Sequence, residues 1–450
     1  MVISKNLCCK SYVFCCALCV QSCKGVVFVP ISYKREEVCS GISYTEIIDS
    51  RLKTNTICVS FFEPIKAENA SANAILPSIL TDSSAVYPSV TELSRKLESL
   101  YGANIRGGVS KAGDYQVIML SASCINDEYT INKEKIFDEL IETFVGCIFD
   151  PHLQNGAFAA DDFALKKQEL LDDIDAEINN KRAYAFLRAA ELIYCGEPAA
   201  VPETGSREDA GKLTPQSAYS RYREVLKSSG AEIIYIGKDI SLQNKDKLLA
   251  PFRALEREHD TFDSIKRSPL KTEVVSKTER LSIMQSKMIL AFKTSFEDQS
   301  AMRMFSAVYG ETPVSKLFSN VREKLSLCYY CPCGFKDDRK GVLFVDCGVE
   351  HDNLEPAKKE ILAQLEEIKK GNFTDDEINS ARLAIINSLK GINDIPSRIA
   401  NRFMNKFITG QEVISPEMEI ERIKAVTKDD IIAAAESVRL DTVYILTGKE

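Results

Sequence analysis

The sequence predicts an α+β fold built twice in tandem, each copy a mostly antiparallel sheet with helices packed on one face. Three observations carry this. Runs rich in β-branched and aromatic residues alternate with long amphipathic helical stripes. One order of elements (strand, two helices, hairpin, long helices, cap-initiated helix, closing strand) occurs twice, roughly 210–225 residues apart. The two closing segments also match in text, LTPQSAYSRYREVLKSSGAEIIYIGK beside VTKDDIIAAAESVRLDTVYILTGK.

In the first copy, residues 26–31 and 56–62 read as strands, separated by a polar stretch that also carries Ile42, Ile47 and Ile48. Residues 67–80 are rich in Ala, Leu and Ile and predict a buried helix interrupted by Pro77. Pro88 opens a helix with Leu93, Leu97 and Leu100 on its apolar face, and Gly102 ends it. Residues 105–109 and 115–121 predict a hairpin around Ala112 and Gly113. From 133 to 148, Ile136, Phe137, Leu140, Ile141, Phe144, Val145 and Ile148 fall on one helical stripe. Helical patterning resumes over 158–194, and Thr214 starts the helix that leads into a closing strand at 231–236.

The second copy repeats the order. Residues 281–292 read as a strand, and 298–309 and 313–325 as helices. A hairpin of 327–335 and 342–349 follows, then helices at 355–368 and 374–389, the latter opened by the capping box Thr374 to Glu377. A helix at 427–438 feeds the last strand, 442–446. The domains expected are therefore 26–237 and 271–450, joined by a polar linker at 238–270. Two like halves so joined commonly face one another across a cleft.

Bulk composition narrows the function. Apolar residues make up 45% and charged ones 27% of the 450, ordinary for a folded soluble protein. A net charge of −8 without a basic run argues against a nucleic-acid groove. Of 15 cysteines, six stand in the first 23 residues, and the scatter of the others fits reduced thiols and a cytoplasmic location. Residues 1–25 form an atypical Cys-rich leader that reads as an export or lipid-anchor segment, a thiol-rich tail, or translated sequence upstream of the natural start, which is the reading favoured. Nothing beyond it is apolar for long enough to predict stable membrane insertion.

The most informative text is TPVSKLFSNVREKLSLCYY, residues 312–330. It places the guanidinium of Arg322 and the phenols of Tyr329 and Tyr330 at a predicted helix-to-strand junction. On its own, Arg322 beside Glu323 also fits a surface ion pair, worth well under ~1 kcal/mol. Together with the element order, this text resembles the insulinase/pitrilysin family of zinc metallopeptidases, in its small processing-peptidase-like branch, from about residue 26 to the C-terminus. The resemblance implies that Arg322 and Tyr329 bind substrate backbone near the scissile carbonyl, as hydrogen-bond donors to developing negative charge.

Active members of that family also carry an inverted HxxEH motif, two zinc-binding His flanking a catalytic Glu. The resemblance places that slot on Ala74, Pro77 and Ser78, none of which can bind zinc or activate water. The three histidines, His152, His259 and His351, are too dispersed to supply it. The third-ligand position falls at Asp173, which by itself reads as a solvated charge on a helix face. A metal site at Cys328, Cys331, Cys333 and Cys347 is disfavoured: strand alternation sends Cys331 and Cys333 to one face and Cys328 to the other, so packed reduced thiols are expected. No G-x-S-x-G, P-loop or dinucleotide fingerprint is present.

The expectation is thus a catalytically inactive homologue with neither cofactor nor metal. The resemblance implies that it serves as the peptide-binding partner of an active insulinase-type zinc subunit in a heterodimer. A scaffold component of a larger complex, and an active metallopeptidase with an unrecognised ligand set, remain alternatives.

Overall fold

The computed structural model describes residues 32–259, 263–336 and 339–448, so the leader and the expected strand at 26–31 lie outside the described residues. Among those described, no helix is long and apolar enough to cross a membrane.

The first sheet holds β1 (Ser32–Cys39), β2 (Ile42–Ile48), β3 (Thr54–Pro64), β4 (Asn104–Ala112), β5 (Tyr115–Ile125) and β6 (Gly230–Gly237), in the order β1-β2-β6-β3-β5-β4. The second holds β7 (Val275–Arg280), β8 (Ser286–Lys293), β9 (Cys333–Lys336), β10 (Val342–Val349) and β11 (Arg439–Thr447), in the order β9-β10-β8-β11-β7. Leaving β1 aside, the two orders agree strand for strand. Each closing strand, β6 or β11, is central, parallel to one neighbour and antiparallel to the other. The remaining pairings of both sheets are antiparallel. The fold is the expected α+β tandem repeat.

On one face of the first sheet lie α1 (Ala67–Leu80), α2 (Val90–Ser99), α3 (Ile136–Phe149), α4 (Ala160–Ala176) and α6 (Pro215–Ser228). The stripe of α3 inserts Ile136, Phe137, Leu140, Ile141 and Phe144 into the core, where each is at most 3% exposed. The second sheet is covered likewise by α8 (Gln299–Ser306), α9 (Leu354–Lys369), α10 (Asp375–Lys390), α12 (Pro416–Ala425) and α13 (Lys428–Ser437).

The opposite faces are not bare, which the sequence reading did not anticipate. Helix α5 (Lys181–Ile193), from the first half, packs Ala185, Ala189 and Ile193 against Ile289, Phe344 and Tyr444 of the second sheet. Helix α11 (Pro396–Ile408), from the second half, lies across β3 and β6. Its Phe403 meets Tyr33 edge-on at 4.9 Å, and Arg35 sits 4.4 Å above the ring of Phe407. Burial on both faces explains why β6 and β10 are buried along their whole length. Glu232 on β6 is tolerated there because Arg35 reaches it at 2.8 Å and the Thr45 hydroxyl donates to it at 2.5 Å.

Several elements differ from expectation. Helix α1 runs straight through Pro77; the Thr81 hydroxyl and amide both donate to the Pro77 carbonyl, at 2.9 and 3.0 Å, and close the last turn. The β4 backbone approaches so closely that a Cβ on Gly107 would stand 2.7 Å from that of Pro77, which only glycine avoids. The hairpin β1–β2 was missed because SYKREEVC is charged throughout, as suits an edge strand. The expected linker begins with a helix, α7 (Leu242–Arg253), whose Leu248, Leu249 and Phe252 belong to the first core. Of the run 281–292 only residues 286–292 are strand, within β8, while β7 precedes the run, and the sequence pattern does not mark α11 and α12.

The halves are pinned by buried charge. Lys340, 2% exposed, donates to both oxygens of Asp114 at 2.9 Å and lies 2.6 Å from Glu197. Lys293 donates to the Ile193 carbonyl at 3.0 Å. Removing one partner of such a group leaves charge buried without compensation. Lys340→Met is therefore expected to lower stability by about 3 kcal/mol, read as a lower midpoint of urea unfolding, with the secondary structure of the folded protein unchanged.

Candidate functional site

The three residues of the expected slot stand together on α1. Ala74 and Ser78, one helical turn apart, share the partly exposed stripe of α1, while Pro77 is buried against Gly107. The Ser78 hydroxyl donates to its own helix, to the Ile75 carbonyl at 2.9 Å. Asp173 is exposed on α4, which packs against α1. The histidines are apart: His152 Nδ1 lies 3.0 Å from Asp162, His259 Nδ1 3.0 Å from the Ser228 carbonyl, and His351 Nδ1 2.9 Å from the Thr447 hydroxyl.

Beside the slot stands a buried polar network that the sequence did not disclose. The Asn73 amide donates to Glu63 at 2.9 Å and to Gln116 at 2.8 Å, and Arg221 donates to Asn73 Oδ1 at 2.8 Å and ion-pairs with Glu63. Each member is satisfied by another, so the network fixes α1 upon the sheet. Its members lie up to 158 residues apart, and no local pattern links them.

The Arg322–Tyr329 segment is built differently from expectation. Residues Leu317–Lys324 form a π-helical stretch, held to α9 by Asn320 donating to Gln364 at 2.8 Å and to α10 by the Lys316–Glu377 pair at 3.0 Å. The amides of Leu325 and Leu327 bond back to the carbonyls of Asn320 and Val321, and Ser326 adopts φ +51°, turning the chain sharply. Arg322 is 42% exposed; its ion pair with Glu323 is long, 3.7 Å, and its guanidinium stacks 4.7 Å from the Phe318 ring. Tyr329 is 53% exposed, and its hydroxyl donates to Glu350 at 2.6 Å. That hydrogen bond to a carboxylate raises the Tyr329 pKa. Tyr330 points the other way. It lies across Gly348, where any Cβ would strike its ring, and its faces meet Arg182 and Lys287 at 4.6 and 5.3 Å.

The thiols depart from the expected alternation. Strand β9 begins only at Cys333, because Pro332 has no N–H to offer the ladder. Residues before it follow the turn at Ser326, and Cys328 is delivered to the same side as Cys331. Cys328, Cys331 and Cys347 have their Sγ atoms within 4.8 Å of one another, while Cys333 Sγ lies apart, 3.6 Å from the Ser306 hydroxyl. Cys331 and Cys347 lend hydrogen bonds to Cys328 and Arg322 adds its charge, so the Cys328 thiol is held well below the ordinary range.

Among the described residues, the two parts of the expected active centre pack chiefly on different elements. The slot helix packs on β4, β5, α4 and α6, and the π-helical stretch on α9. The α4–α5 junction connects their surroundings. A cavity of about 380 Å³ between the sheets is lined by Lys111, Glu177, Tyr184, Glu203, Lys336 and Phe344 among others. Burial raises the carboxyls of Glu177 and Glu203. An open recess shares Asn180 with that cavity and contains Arg182 and Lys287, the cations flanking Tyr330.

Comparisons with known proteins point to the same class as the fold. A family model described as the Peptidase M16 inactive domain matches residues 212–385. YmfF of Bacillus subtilis, a probable inactive metalloprotease, is 26% identical over 416 residues, 91% of this chain and 96% of its own length. The crystal structure of a conserved protein from Enterococcus faecalis aligns with a TM-score of 0.84 at 26% identity, over 93% of this chain and 99% of that one. A peptidase M16 inactive domain from Pseudomonas fluorescens aligns at 0.76 with 16% identity, over 93% and 98%. The chain is an insulinase-family peptidase homologue.

Glu350→Gln should bring the Tyr329 titration down toward that of an ordinary tyrosine, because a neutral amide no longer favours the protonated phenol. Ultraviolet difference titration against a Tyr329→Phe control checks this.

Proposed function

We propose that this chain is the non-catalytic, peptide-binding subunit of a heteromeric zinc peptidase, paired with an active insulinase-type subunit. One observation carries the reading: exposed Arg322 and Tyr329 persist in a chain whose slot reads Ala74, Pro77 and Ser78. In this reading Tyr329 exchanges Glu350 for a peptide carbonyl and Arg322 supplies a second donor, while the partner supplies metal and water. The Bacillus subtilis relative is itself named a probable inactive metalloprotease.

Two further features support peptide binding. The outer side of β4 has no strand partner among the described residues, and Arg106 and Gly107 on that strand are exposed, which suits an added strand. The inter-sheet cavity offers Tyr184 and Phe344 for apolar side chains beside Lys111 and Lys336. A cytoplasmic setting suits the reading, since all nine cysteines among the described residues are free thiols.

The chain alone should not cleave peptides. Reconstituted with a zinc subunit, Arg322→Ala should lower peptidase activity on the order of a hundredfold, and Tyr329→Phe by a comparable factor. Unchanged activity of the pair in both variants would sink the shared-site reading. Recovery of a stable assembly without any peptidase in pull-downs would point instead to a scaffold.

A further inference from the structure

We propose that Cys328, Cys331 and Cys347 form a trithiolate site for a thiophilic d10 metal ion, Zn2+ or Cu+, adjoining the Arg322–Tyr329 segment. This does not depend on the partnership proposed above.

The geometry is close to that of a metal centre before any ion enters. A trigonal centre with zinc–sulfur bonds of about 2.3 Å spaces its sulfurs about 4 Å apart. The three Sγ atoms already lie within 4.8 Å of each other, so side-chain rotations complete the site without moving the sheet. Two ligands are set by strand register. Pairing of Tyr330 with Gly348 and of Cys333 with Val345 places Cys331 opposite Cys347, and directly opposed side chains share a face. Both are buried in the second core. The third comes from outside the ladder, carried in by the left-handed turn at Ser326.

Apolar packing alone gives no reason for that convergence. Cys333, on the same strand face as Cys331, is turned to Ser306 and takes no part. Cys328 is the partly exposed member, so it provides the entrance. Among the described residues no carboxylate or imidazole completes the group. A four-coordinate Zn2+ would therefore keep one position open on the Cys328 side. Purely sulfur donors select Zn2+ or Cu+ over Mg2+ or Ca2+. On binding, each coordinating thiol gives its proton to solvent, so Zn2+ with three thiolates carries one net negative charge. Arg322 stands near enough to offset it. Such an ion would tie residues 328–331 to β10 and hold the neighbouring Tyr329 in place. It is unrelated to the slot on α1.

The test uses the full chain, reduced with a phosphine and loaded in separate arms with Zn2+, with Co2+ as the spectroscopic substitute for Zn2+, and with Cu+. Because six further cysteines stand in the first 23 residues, the readout is the difference between wild type and variant. Cys328→Ser should lower bound metal by about one equivalent per chain and weaken the thiolate-to-cobalt charge-transfer band. Cys347→Ser should do the same, and Cys195→Ser, an exposed thiol elsewhere, should change neither. Independently of folding in the variants, metal should slow alkylation of Cys328 in the wild type, and a chelator should restore the rate. Equal metal content and spectra in wild type, Cys328→Ser and Cys347→Ser would overturn the proposal. So would an alkylation rate at Cys328 that ignores both metals. The arm in which the loss appears distinguishes Zn2+ from Cu+.

Discussion

Everything in this molecule depends on the reciprocal crossing of α5 and α11. Each sheet is covered on one face by helices of its own half and on the other by a single helix lent by its counterpart. Neither half can therefore bury both faces of its central strand alone. Strands β6 and β10 are apolar along nearly their whole length, which is tolerable only when both faces are covered. The buried ammonium of Lys340 works within this frame. Its place between Asp114 and Glu197 exists only when the second sheet is docked against the first half.

This arrangement sets what the functional residues can do. Slot helix and Arg322 segment belong to separate helical layers, so movement of one is not transmitted to the other by direct packing. What joins their surroundings is the chain from Asp173 through Glu177 to Arg182, where α4 gives way to α5 and Arg182 meets Tyr330. The polar network of Glu63, Asn73, Gln116 and Arg221 maintains α1 without help from a metal.

Much of this was legible in the sequence, for identifiable reasons. The duplication was, because its periodic helices and closing strands are long and the repeated order is redundant. The helix that carries Ala74 and Ser78 was, because its apolar pattern survives Pro77. What stayed hidden depends on pairings distant in the chain. Nothing local in SYKREEVC announces a strand until Arg35 is seen to neutralise Glu232. Helix α11 faces a sheet more than 150 residues earlier in the chain, so its apolar face has no local partner to mark it. The convergence of the three thiols stayed hidden because alternation was carried back from Cys331 to Cys328, a stretch shaped by the left-handed turn at Ser326.

The two margins of the first sheet, finally, are unlike. Along β1 the side chains Lys34, Arg35, Glu36 and Glu37 crowd one margin with charge of both signs, and Arg35 is already committed inward. Along β4 the opposite margin carries two successive glycines and little bulk. Strand edges are where folded proteins polymerise, and mixed charge is a common deterrent. Here the deterrent guards one margin only. The two margins thus differ in kind: a sheet that stacked on itself through both edges would meet mixed charge at β1 and a smoother backbone at β4.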